Sequence, residues 1–132
     1  MRHHPGVDSF SATLRCDASL LAGLRHAFAG WLEARGLGEE SRASAVLATH
    51  EATANAIEHG RSAGSVNVRA HLVDDALMIE VSDQGQWRPA GFGDDERGRG
   101  LMLIAALVSE LDIRSETGGT TIRMVQHPLL AV

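Results

Sequence analysis

The sequence predicts an α+β fold, a single-domain two-layer sandwich with helices on one face of a mixed β-sheet. Three observations predict it. Segments near both ends and in the middle alternate apolar and polar residues with a period of two, as half-buried strands do. Other segments repeat apolar residues at helical spacing. Their order along the chain, β-α-α-β-β-loop-α-β-β, gives the α+β class, and 132 residues suffice for one buried core.

Residues 1–8 read as an N-terminal tail containing His3 and His4, residues 9–127 as the domain, and residues 128–132 as a C-terminal tail. Phe10, Ala12 and Leu14 alternate with Ser11, Thr13 and Arg15 as the first strand. Asp17 is placed to cap a helix whose apolar positions are Leu20, Leu21, Leu24, Ala27, Phe28, Trp31 and Leu32, and which Gly36 and Gly38 end. A second helix is expected from about Ser41 to His59, stopping at Gly60, with Ala43, Val46, Leu47, His50, Ala54 and Ile57 as its apolar stripe. Val66, Val68, Ala70 and Leu72 make a strand, Asp74-Asp75 a turn, and Leu77, Ile79 and Val81 the hairpin partner. From Gln84 to Arg97 the periodicity gives way to glycines, Pro89 and acids, which predicts a mobile loop. Gly98 to Leu111 reads as a third helix, very apolar and buried. Ile113 and the Ile122/Met124 alternation give two more strands around a Gly118-Gly119 turn.

Composition removes several function classes. A net charge of −5 without an arginine cluster argues against nucleic-acid binding. No apolar run reaches membrane-spanning length, and no secretory signal pattern opens the chain. The single cysteine, Cys16, permits neither an internal disulfide nor a cysteine-based zinc site, which suits a cytoplasmic protein. All twelve cations are arginine. Without lysine there is no P-loop and no protein-kinase site of the eukaryotic type, since both place a lysine on the phosphates.

The candidate site residues are polar groups at the edge of the expected core. Glu51 and Asn55 are one helical turn apart and lie at the border of the apolar stripe, where a carboxylate and an amide need polar partners. Taken alone, the pair also reads as two solvated residues on an amphipathic helix. Asp83 shares strand parity with Leu77, Ile79 and Val81 and therefore points inward; the other reading is an aspartate in an ordinary turn. Gly98 and Gly100 stand where loop becomes helix, a place whose free N–H groups bind phosphate, although Gly-x-Gly is often mere helix entry. Arg97 and Arg99 either contact phosphate or neutralise Asp94, Asp95 and Glu96. Thr120 shares parity with Ile122 and Met124, and a threonine bonded to backbone explains it as well as a ligand contact does. The histidines make no zinc motif: HExxH fails at Ala54 and HxxEH at Asn55, so His50 reads as a satisfied core residue and His59 as a helix ending.

Three segments together carry a resemblance: Glu51-Ala-Thr-Ala-Asn55-Ala-Ile-Glu-His59, Asp83-Gln-Gly85 and Gly98-Arg-Gly100-Leu101-Met. In this order and spacing they resemble the N-box and the two glycine boxes of the GHKL (Bergerat-fold) ATPases, over nearly the whole chain. The resemblance implies ATP and Mg²⁺ as ligands. It makes Asn55 the oxygen ligand to Mg²⁺ and Glu51 the general base that polarises the attacking hydroxyl. It sets Asp83 on the adenine amino group, with Gly85 letting the backbone approach the base. Gly98, Gly100, Leu101 and the neighbouring arginines fall to the phosphate side, and Thr120 beside the adenine.

Within that superfamily, gyrase-like members carry large additional domains and sensor kinases a phospho-acceptor helical domain, for which no room is expected here. The small domain, the short lid and the ending Gly119-Thr-Thr-Ile-Arg resemble the anti-sigma-factor serine kinases. Members of that branch hold a sigma factor, phosphorylate a serine on an anti-anti-sigma partner of the STAS fold, and commonly act as homodimers. A module that captures a partner in an ATP-dependent way, without useful phosphotransfer, is the alternative from a different class. Two departures from the pattern are Trp87, where the first glycine box usually has a second glycine, and the three acids Asp94, Asp95 and Glu96 beside the phosphate segment.

Overall fold

The computed structural model describes residues 2–3, 9–59, 64–84, 96–116 and 118–127. Six strands form one sheet in the order β1-β2-β3-β4-β6-β5. They are β1 (Arg2–His3), β2 (Ser9–Arg15), β3 (Ser65–Val73), β4 (Ala76–Asp83), β5 (Glu110–Glu116) and β6 (Gly119–Gln126). The helices are α1 (Leu21–Ala34), α2 (Glu39–His59) and α3 (Glu96–Leu107). The α+β class and the two-layer arrangement hold.

The expected mixed sheet is corrected. Every neighbouring pair is antiparallel. The crossover through α3 would make a parallel pair only if β5 landed beside β4. It lands one place further out, and β6 fills the gap, antiparallel to both. At the other edge Arg2–His3 pair with Thr13 and Ala12 of β2, so part of the segment expected as a tail adds a short strand.

Buried residues of β2, β3, β4 and β6 share one parity, and the helices cover that face. Phe10 of β2 meets Phe28 and Trp31 of α1, with ring centroids 5.2 and 6.1 Å away. Such tilted aromatic contacts add to the area they bury. Asp17 caps the turn that precedes α1, accepting from the Ser19 N–H at 2.9 Å, and Gly36 follows the helix at φ +85°, a conformation that costs other residues strain. On the outer face of the sheet, Glu80 and Arg123 stand opposite one another and pair at 2.9 Å.

Helix α2 packs against α1, α3 and the sheet, but not through the expected stripe. Its buried positions are Ser41, Ala45, Ala48, Thr49, Ala52, Thr53, Asn55 and Ala56. Ala43 and Leu47 are exposed instead, and Val46, His50, Ala54 and Ile57 are half-buried. Small side chains let the helix axis come close to a sheet, so the alanines and threonines go inside and the larger residues flank them. Helix α3 also differs from expectation. It ends at Leu107, Leu111 belongs to β5, and only Leu101 and Ile104 are deeply buried among its apolar residues, with Met102 and Leu103 exposed. It packs against α2. Among the described residues, no helix is long and apolar enough to cross a membrane.

Candidate functional site

Asn55 projects from α2 at the border between sheet and α3 and is only 6% exposed. A Cβ added to Gly100 would lie 3.1 Å from Asn55 Nδ2 and 3.4 Å from Oδ1. The first and third sequence segments therefore meet, and they meet side chain to backbone. Among the described residues, Asn55 Nδ2 is buried without a hydrogen-bond partner. An amide exchanges the places of its oxygen and nitrogen by a half-turn, so an oxygen can occupy that position. A buried, unspent amide beside the start of α3 suits a hard cation that brings its own water and phosphate oxygens. Among the described residues no group of three histidine, cysteine or acidic side chains is placed to hold a metal.

Helix α3 begins at Glu96, two residues before the expected start at Gly98. The N–H groups without a partner inside a helix are those of its cap and first three residues, so within α3 they belong to residues 96–98. Gly98 and the backbone of Arg97 therefore belong to this first turn, whereas Gly100 contributes the space that Asn55 fills. Leu101 is buried in the core and anchors this turn. Glu51 lies one turn before Asn55, half-buried on the same side of α2. A carboxylate in that position is accessible to a reacting group.

The second segment is assembled by the sheet. Asp83 ends β4 and stands directly opposite Thr120 of β6 in the ladder. Both side chains face the helices and both are buried, Asp83 to 8% and Thr120 to 1% exposure. Inward parity is therefore right for each. Cys16, just past the end of β2, continues the parity of Phe10, Ala12 and Leu14 and comes near Asp83. Its thiol is pushed above the usual range, first by burial and then by the Asp83 carboxylate. Sequence reasoning missed Cys16 as a neighbour of the site, although its parity with Leu14 was the available signal. Gly85, Trp87 and the acids Asp94 and Asp95 lie outside the described residues, as does most of the expected lid.

A cavity of about 280 Å³ opens at this end of the sheet, lined by Asn67, Ser82, Asp83, Gly119 and Thr121 among others. Asn67, Ser82 and Thr121 have the opposite parity to Asp83 and Thr120, so this cavity lies behind the sheet and not between the sheet and Asn55. His50 is half-buried beside α1, with Nδ1 3.0 Å from Arg25 Nη1; this corrects its expected place in the core.

Comparisons with known proteins place the chain in a family. Residues 14–126 match the model of the histidine kinase-like ATPase domain family. The chain is 25% identical to the serine-protein kinase RsbW of Staphylococcus epidermidis, over 91% of this chain and 87% of that protein. Among solved structures it resembles the RsbU and RsbW domains of a Mycobacterium tuberculosis protein with a TM-score of 0.76 and 30% identity. That match covers 91% of this chain and 32% of the larger one, so the chain spans about a third of that protein's length. The histidine kinase domain of an Erythrobacter litoralis blue-light activated kinase shares the fold, with a TM-score of 0.59 and 19% identity over 83% of this chain and 60% of that one.

Proposed function

The chain belongs to the histidine kinase-like ATPase domain family, and we propose that it is an ATP-dependent serine-protein kinase and anti-sigma factor. It phosphorylates a serine of a STAS-fold anti-anti-sigma partner and sequesters a sigma factor. The observation that carries this reading is the meeting of Asn55 with Gly100 at the start of α3, on the helix that also bears Glu51. That contact supports a reading in which Asn55 is the hard oxygen ligand, the start of α3 receives phosphate and Glu51 is the base. Similarity to RsbW supports the choice of a serine acceptor and of these partners.

In this reading Asp83, with Thr120 opposite, accepts from the adenine amino group. The carbonyl oxygen of guanine at that place would be repelled, which selects ATP. Gly85 lies on the base side, and Gly98, Arg97 and Arg99 take the phosphates with the first-turn amides of α3. Asn55 would hold Mg²⁺ through its amide oxygen; the ion supplies neutralisation of phosphate charge. Glu51 takes the proton of the partner's serine as its oxygen attacks the γ-phosphorus and the bond to ADP breaks. The homodimer and the cytoplasmic location expected from the sequence belong to the same proposal.

The product explains the cycle. A phosphoserine adds roughly −1.5 to −2 charges to a partner bound by a chain already at −5. Repulsion releases it and frees the kinase for its sigma factor. Calorimetric titration with the unphosphorylated and phosphorylated partner at low salt, where screening is weakest, tests this. Tight binding of the first and weak binding of the second is expected. Equal binding of both forms would defeat the anti-sigma cycle.

A further inference from the structure

Gly119 is the first residue of β6, next to Thr120 and diagonal to Asp83. Its φ is +150°, and a Cβ there would lie 1.9 Å from the Asp83 carbonyl oxygen, 2.9 Å from the Asp83 carbonyl carbon and 3.0 Å from the Gln84 Cα. All three are backbone atoms, so no side-chain rotation relieves the overlap. Clearing it requires β6 and the end of β4 to separate by about 1 Å or more, because non-bonded carbon and oxygen do not approach so closely. A Cβ added at the neighbouring Gly118 would meet nothing within 4 Å among the described residues.

The peptide between Asp83 and Gln84 is held on its other side as well. The Gln84 side chain accepts from the Ser65 N–H of β3 at 3.0 Å. The end of β4 is thus fixed between β3 and β6 at the residue where the chain leaves the sheet. Hydrogen-bond ladders tolerate a few tenths of an ångström, not an ångström.

We propose that Gly119 is a positioning residue for recognition of the nucleotide base: its missing side chain lets β6 close on the Asp83–Gln84 peptide and so sets the Asp83 carboxylate at the adenine edge. The inference rests on the ATP reading given above. It acts through Asp83, not through contact with the nucleotide. Asn55 and the start of α3 lie on other elements and keep their places when this end of the sheet opens.

The test compares Gly119→Ala with Gly118→Ala and the unaltered protein, titrating each with Mg-ATP and Mg-GTP and checking the fold by circular dichroism. A misplacement of about 1 Å at a recognition group costs on the order of 100-fold. Gly119→Ala should therefore lose about 10- to 100-fold in ATP affinity while GTP affinity barely moves, so the preference for ATP collapses. Gly118→Ala should match the unaltered protein. Equal losses for ATP and GTP would show a merely structural glycine and overturn the proposal, as would a folded Gly119→Ala with an intact preference. Should that variant not fold, amide spectra of the unaltered protein decide. Adenosine must shift the Gly119 and Gln84 resonances and guanosine must not; no adenosine shift at Gly119 overturns the proposal. An unaltered protein that binds no ATP would overturn it together with the ATP reading, whereas retained ATP binding with either negative result removes Gly119 alone.

Discussion

Replacing Asp83 with Asn preserves shape and volume at a site with 8% exposure, while removing a charge and turning one acceptor into a donor. The ladder on both sides of β4 is made by backbone groups, so the fold should survive. In the proposed reading, the change removes a buried, charge-assisted bond to the adenine amino group, worth about 1.5–3 kcal/mol, or roughly 10- to 150-fold in affinity. Titration calorimetry with Mg-ATP reads that loss directly. A second readout needs no nucleotide. Asp83 is the lesser of two causes that raise the Cys16 thiol pKa, and burial is the greater. In Asp83→Asn the thiol should therefore titrate lower than in the unaltered protein, yet still above the usual thiol range, as followed by thiolate absorbance. A folded variant with unchanged ATP affinity would remove Asp83 from the base site. An unmoved Cys16 titration would mean that the two residues are not the neighbours described.

Glu51→Ala should bind Mg-ATP normally and lose transfer by about 10²- to 10⁴-fold, whereas Asn55→Ala should lose the Mg²⁺-dependent part of ATP binding, read by titrating with and without the metal. In Gly100→Ala the new methyl must push the Asn55 amide by a few tenths of an ångström from its 3.1 Å approach, and the same Mg²⁺-dependent part should shrink while metal-free nucleotide binding persists. Ala52→Leu forces a large side chain between α2 and the sheet, where Ala52 is fully buried; overpacking costs about 1–3 kcal/mol and should lower the denaturant midpoint. The raised Cys16 thiol means that the folded state holds this proton more tightly than the unfolded one. Its contribution to stability is complete below the unfolded thiol pKa and disappears as pH rises through the higher folded value, so Cys16→Ser should flatten the alkaline fall in stability.

Strands were legible because alternation is a local signal: Phe10, Ala12, Leu14 and Ile122, Met124 face the core as their parity requires. Parity also placed Asp83 and Thr120 correctly. Helix α2 was misread because hydrophobicity was followed where size decided. Leu47, counted on the stripe, is 40% exposed, while Ala45, Ala48, Ala52 and Ala56 are sealed against neighbouring elements. Asn55, expected at the border of the stripe, lies among the buried positions. Strand order was beyond a local reading. Nothing in the residues of β5 and β6 reveals which of them will lie beside β4, and that choice turns a mixed sheet into an antiparallel one. The space at Gly100 and the closure at Gly119 were equally out of reach, because each depends on a backbone or side chain from a distant segment.

The central claim, transfer of phosphate from ATP to a serine of another protein through Glu51 and Asn55, is tested most directly by incubating the protein with γ-labelled ATP, Mg²⁺ and STAS-fold partner proteins, then locating the label by peptide mass spectrometry. The account predicts label on one partner serine, none without Mg²⁺, and almost none with Glu51→Ala. An unlabelled partner that nevertheless binds only when ATP is present would contradict it and identify an ATP-gated binding module in place of a kinase.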